Sequence, residues 1–111
     1  MAKKIGLIGL GYVGGAVRHW FEAQKERPPL FFYDKHKNIG SIVEVNNADI
    51  VFIAVPTPFK DNKEYDGSAV EESVASLSGG KIVVIKSTVI PGTTEALQKK
   101  YLAQKILFNP E

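Results

Sequence analysis

Three glycines and a carboxylate carry the strongest chemical signal in this chain. Gly9, Gly11 and Gly14 directly follow a short apolar run at positions 5–8, and Asp34 lies twenty positions beyond Gly14. Glycines after a strand and at the start of a helix, with an acid at that distance, form a dinucleotide-binding fingerprint. Gly9 permits the tight turn, Gly11 leaves room for a pyrophosphate against the backbone, and Gly14 lets the helix pack close to the strand. Leu10, Tyr12 and Val13 belong to the same turn and count with it as cofactor contacts. The phosphates would meet unpaired N–H groups and the positive end of the helix dipole. Asp34 would accept hydrogen bonds from the adenosine ribose and repel a 2′-phosphate, so the spacing predicts NAD as cofactor rather than NADP.

The elements that must position these residues alternate along the chain. Strands are expected at 4–8, 30–33, 49–55, 81–85 and 105–108, the third being a nearly continuous apolar run of the kind buried on both faces of a parallel sheet. Helices are expected at 13–25, 68–77 and 93–102, with Ser68 and Glu71 at capping-box spacing. The stretch 35–47 is polar enough for only a turn or two of helix. Strands separated by helical crossovers imply a Rossmann-like α/β fold: an open parallel sheet of about five strands, order 2-1-3-4-5, with helices on both faces. In such a sheet ligands bind at the carboxyl ends of the strands, beside the point where the order reverses. The Gly9 turn, Asp34, Val55 to Pro58, Lys86 to Thr94 and Asn109 to Glu111 all fall there.

Composition narrows the function classes. At 111 residues the chain is expected to form a single domain spanning 1–111. A hydrophobic fraction of 44% is ordinary for a globular protein, and a net charge of +2 gives no reason to expect a nucleic-acid or membrane partner. No apolar run approaches the roughly 20 residues needed to cross a bilayer. The absence of cysteine rules out disulfides and thiolate chemistry within these residues and fits a cytoplasmic setting. His19 and His36 have no partners at ligand spacing, so no metal site is expected. Lys35, His36 and Lys37 read as a solvated charged turn, one residue of which would rest on the adenosine phosphate or ribose, with Lys35 counted among the cofactor contacts.

Five motifs in order make the resemblance specific. Gly9 to Gly14 reads Gly-Leu-Gly-Tyr-Val-Gly, and Val55-Pro56-Thr57-Pro58 closes an apolar strand. Asp66-Gly67-Ser68, the run Lys86 to Thr94 and Asn109-Pro110-Glu111 follow. Together they resemble the N-terminal NAD-binding domain of the UDP-glucose/GDP-mannose dehydrogenases. The resemblance implies oxidation of a nucleotide-sugar C6 hydroxyl to a carboxylate with two NAD molecules, through a thiohemiacetal and a thioester on a cysteine. It further implies that Val55, Pro56 and Thr57 line the ribose side of the cofactor and that Ser87 and Thr88 sit near the nicotinamide. Thr88 would help position a catalytic water, and Glu111 would contact substrate and take part in thioester hydrolysis.

Two departures from the pattern shape the expectations. The connection between Asp34 and Asp49 is much shorter than the family's, which suggests that a strand and a helix are missing. The family also continues past the position of Glu111 into a central helix and a nucleotide-sugar domain, which supplies the cysteine with an assisting lysine and aspartate. These 111 residues are therefore expected to bind NAD alone, to meet a nucleotide sugar only with that further or a partner domain, and to self-associate through the face it would cover. Two other classes fit part of the pattern. A non-catalytic NAD-binding regulatory module needs only the cofactor motifs. A dehydrogenase of the β-hydroxyacid type shares the glycine turn without the motifs at 86–94 and 109–111.

Overall fold

The computed structural model describes residues 3–57 and 67–109. Its elements run β1 (Ile5–Ile8), α1 (Tyr12–Glu22), β2 (Leu30–Asp34), β3 (Ile39–Gly40), α2 (Ile42–Val45), β4 (Ile50–Ile53), α3 (Ser68–Ala75), β5 (Ile82–Ile85), α4 (Thr93–Lys100) and β6 (Lys105–Phe108). One six-stranded sheet has the order β3-β2-β1-β4-β5-β6. The five parallel strands follow the order expected from sequence. The count of five is corrected by β3, a two-residue edge strand that pairs antiparallel with β2. A tight turn at 35–38, with Asn38 in the left-handed region (φ 54°), lets the short segment double back onto the edge instead of crossing over.

Pairing in register assigns the side chains to two faces. Ile8, Tyr33, Ile53 and Ile85 share one face, and Leu7, Phe32, Phe52, Val84 and Leu107 the other. The first face packs under α2, α3 and α4 with Val45, Val51, Val70, Val74, Val83 and Ile106 in one cluster. Full burial of such a side chain stabilises by about 1.5–3 kcal/mol, which makes the apolar run at 50–53 a central strand. Over β2 and β4 the second face is covered by α1, through Phe21 against Phe52 (ring centroids 5.7 Å) and the Arg18 guanidinium 4.3 Å above the Phe32 ring, while Ile82 and Leu107 on β5 and β6 stay exposed.

Helix ends depart from the local signals. The N-cap of α3 is Gly67, so Ser68 is its first helical residue and not the expected cap. The cap of that kind belongs to α2, where Ser41 Oγ accepts a hydrogen bond from the Glu44 N–H. Helix α1 stops at Glu22 rather than 25, and the Gln24 side chain donates to the Trp20 carbonyl at 2.9 Å. The amino ends of the strands are closed by polar bonding: Lys81 Nζ donates to the carbonyls of Asn46 and Ala48, each at 2.8 Å, and Gln104 Oε1 accepts the Lys81 N–H. The carboxyl ends are left open.

Candidate functional site

The loops at those open ends enclose a cavity of about 540 Å³, an ordinary size for a small-molecule or cofactor site. Its floor is the turn from β1 into α1. Gly9 has φ +92°, and a Cβ there would sit 2.5 Å from the Ala54 carbonyl oxygen. A Cβ on Gly14 would lie 1.8 Å from the Gly9 carbonyl oxygen, so any side chain would force α1 off the strand. Gly11 differs: a Cβ there would meet nothing within 4 Å, yet the residue lines the cavity. The fold does not require glycine at this position, so the space above it is available to a ligand. Gly11 is also the N-cap of α1, with no side-chain cap and no acid in the first turn. That helix end presents N–H groups and dipole uncompensated, the arrangement that takes a phosphate.

Asp34 closes the carboxyl end of β2 and is buried. Its Oδ2 accepts the Leu10 N–H at 2.6 Å and its Oδ1 the Lys37 N–H at 2.9 Å. Burial pushes its pKa up, but the backbone N–H groups of Leu10, Lys37 and His36, and then the Lys37 ammonium, outweigh burial and hold the carboxyl below its ordinary value. The acid therefore braces the glycine turn. Each oxygen keeps further acceptor capacity toward the cavity. Lys37 completes the brace by donating from Nζ to the Leu10 carbonyl at 2.7 Å.

The remaining wall comes from the loops after β4 and β5 and from α3. Val55, Pro56, Thr57, Ser87 and Thr88 all line the cavity. Ser87 is buried, and its hydroxyl donates to the Val55 carbonyl at 2.9 Å, which ties the two loops together. Thr88 is exposed on the rim. Tyr12, Val13 and Lys35 also reach the cavity. Lys35 Nζ lies 3.8 Å from Glu72 Oε1 across the mouth. Two candidates, Leu10 and Gly14, stand behind the wall: one bonds Asp34 and Lys37 through its backbone, the other packs against Gly9. Glu111, with Pro58 and Asp66, lies outside the described residues. Sequence reasoning missed the wall contributed by Ala69, Glu72 and Ser73 of α3, and it assigned Lys86 no role. The order of Asp34 and Lys37, an acid three residues before a backbone donor, was a readable turn signal. Among the described residues no group of three or more acids, histidines or cysteines gathers as a metal would require, and no helix is long and apolar enough to cross a membrane.

A parallel sheet that offers an uncapped helix N-terminus and a buried acid on the next strand, at the point where strand order reverses, is a dinucleotide-binding domain of the Rossmann class. The sequence profile described as "UDP-glucose/GDP-mannose dehydrogenase family, NAD binding domain" matches residues 32–111, and the chain belongs to that family as its NAD-binding domain. The glycine turn precedes that match. It lies within the alignment to a UDP-N-acetyl-D-mannosamine dehydrogenase of Methanocaldococcus jannaschii, 28% identical over 97% of this chain and 33% of that protein. An NDP-N-acetyl-D-galactosaminuronic acid dehydrogenase of Ralstonia nicotianae is 42% identical over 60% of this chain and 17% of its own length. A UDP-glucose dehydrogenase structure from Pyrobaculum islandicum superposes with a TM-score of 0.82 at 24% identity, covering 100% of this chain and 36% of that one. A 3-hydroxyisobutyrate dehydrogenase from Mycobacterium tuberculosis gives 0.73 at 16% identity, over 99% and 40%, so the fold itself is shared beyond the family. The chain thus spans about a third or less of the length of the curated relatives it matches. The first alignment runs over 142 positions against 111 residues here, so that relative carries additional residues within the matched stretch.

Proposed function

We propose that this chain holds NAD for a dehydrogenase that oxidises the C6 hydroxyl of a nucleotide sugar to a carboxylate. The observation that carries the reading is the open space above Gly11 at the uncapped N-terminus of α1. The pyrophosphate sits there, Asp34 receives the adenosine ribose hydroxyls, and Lys35 lies beside them at the mouth. Val55, Pro56 and Thr57 line the ribose toward the nicotinamide, with Ser87 and Thr88 beyond. Bound NAD supplies the hydride acceptor. Thr88 positions a water at the rim, and Glu111 orients substrate and assists hydrolysis. The nucleotide sugar itself is held by polypeptide of the kind that fills the rest of the relatives' length.

A polypeptide of these 111 residues is expected to bind NAD saturably in calorimetric titration while forming no NADH from UDP-glucose, UDP-N-acetyl-D-mannosamine or GDP-mannose. It contains no cysteine to hold the substrate through the second oxidation. In this reading the surface that fixes the donor carbon over the nicotinamide belongs to the further polypeptide, a contribution that reaches about 7–11 kcal/mol of barrier. Turnover followed by nicotinamide absorbance, or failure to bind NAD, would overturn the reading.

The same polypeptide is expected to self-associate through the sheet face that α1 leaves open. Leu107 (45% exposed) and Ile82 (38%) flank half-buried Phe52 and Val84 there, with Lys105 as the paired charge on the strip. A contiguous apolar strip of this kind marks an interface. Sedimentation velocity should show a coefficient that rises with concentration for the unaltered chain and a monomer for Leu107→Glu. A monomer at every concentration without the substitution would refute the proposal.

A further inference from the structure

The cations on the cavity wall are not equivalent. Lys35 faces Glu72 across the mouth, and Lys37 lies against Asp34 and the Leu10 carbonyl, so both sit beside compensating negative groups. Lys86 lines the cavity at the carboxyl end of β5, and among the described residues it makes no ion pair within 4.0 Å. Its Nζ donates instead to the neutral Asn109 Oδ1 at 3.0 Å. Lys86 is half-buried and β6 pairs with β5 immediately beside it, so this solvent-exposed bond ties the ammonium to the loop after β6.

The direction in which a dinucleotide lies places this charge. Adenosine ribose belongs at the acid ending β2 and pyrophosphate at the glycine turn after β1, so the nicotinamide half extends across β4 toward β5. The oxidised nicotinamide ring carries a positive charge and the reduced ring carries none. A fixed ammonium beside it raises the free energy of the oxidised form bound and leaves the reduced form untouched. We infer that Lys86 sets a redox preference in this site, making it bind NADH more tightly than NAD. The inference rests on the proposed placement of NAD in this cavity. Its consequence is that the domain's occupancy responds to the reduced fraction of the cofactor pool, and that NADH leaves slowly after hydride transfer.

Three ligands separate the possibilities when titrated into the polypeptide and its Lys86→Met variant: NAD, NADH and ADP-ribose, which lacks the nicotinamide. The unaltered chain should favour NADH over NAD by roughly fivefold or more, as expected for a partly screened like-charge contact. In Lys86→Met that ratio should fall toward unity, mainly through tighter NAD binding, with ADP-ribose affinity unchanged; Lys86→Arg should keep the preference. A second measurement needs no variant: in the unaltered chain the NADH preference should shrink as salt is raised. An equal ratio in the unaltered chain and the Lys86→Met variant, or a ratio insensitive to salt, would refute the role of Lys86. Binding of ADP-ribose but neither nicotinamide form more tightly would show that the ring does not reach β5, which also refutes it. Binding of none of the three would instead sink the cofactor reading on which it rests.

Discussion

Gly11→Val is expected to weaken NAD binding at least a hundredfold, about 2.7 kcal/mol, while costing the fold only about 1 kcal/mol through its poorer N-cap. Beyond its chain neighbours, a Cβ at residue 11 meets nothing within 4 Å, so the side chain extends into the space proposed for the phosphate. Gly14→Ala should show the reverse pattern. Its Cβ would fall 1.8 Å from the Gly9 carbonyl oxygen, so the turn or α1 must move. Overpacking against backbone should cost about 3 kcal/mol or more of stability, with NAD binding lost as a consequence of the displaced turn. Urea unfolding and calorimetric titration of both variants separate a ligand position from a packing position. A Gly11→Val variant that binds like the unaltered chain would remove the main support for the proposed pyrophosphate site.

Asp34→Asn is expected to cost about 2–3 kcal/mol of stability and to narrow the discrimination between NAD and NADP. Asp34 is buried, and its two oxygens accept the N–H groups of Leu10 and Lys37; an amide offers one oxygen and turns its NH₂ toward the other donor. A buried donor left unsatisfied carries a penalty of that size. The carboxylate also disfavours a 2′-phosphate, an effect that Lys35 and Lys37 soften, so the unaltered chain should prefer NAD and the variant should prefer it less. The pH dependence follows from the lowered pKa. Because the folded carboxyl is more acidic than the unfolded one, its stabilisation is complete above the unfolded value and disappears as pH falls through the folded one. The stability difference between the unaltered chain and the Asp34→Asn variant should therefore hold at neutral pH and close as pH falls below the ordinary carboxyl range and through the lowered folded value. Equal or tighter NADP binding by the unaltered chain, or a stability gap that persists in acid, would contradict this account.

The order of the parallel strands and the gathering of the glycine turn with the loops after β4 and β5 around one cavity were legible in the sequence, for a local reason. Apolar runs such as Ile50 to Ile53 have a length and composition suited to a strand buried on both faces, and the glycine turn is a short-range steric device whose residues are adjacent in sequence. Asp34 could be placed at a strand end because its distance from the turn equals one helix and one crossover. The family motifs then identified the loops that meet at the carboxyl ends.

Only the tertiary structure decided the rest, because it depends on which groups meet from distant parts of the chain. Whether residues 39–40 cross over or fold back rests on pairing with Asp34 and Tyr33 at the sheet edge, and a two-residue segment carries no periodicity to announce that. Ser41 and Ser68 each precede a glutamate by three residues, and the capping spacing alone could not say which serine lies outside its helix. Ser87 lines the cavity, but its hydroxyl is directed to the Val55 carbonyl, thirty-two residues away. The spacing of Asp34 pointed to a ribose ligand and gave no sign of a brace for the turn, since its bond to Leu10 spans twenty-four residues and exists only once β1 and β2 lie side by side. The sequence by itself determined the scaffold and the cofactor class, through local sterics and burial. The charge balance of the site, with Lys35 and Lys37 compensated and Lys86 held by Asn109, arises from contacts between separate loops that only the folded chain brings together.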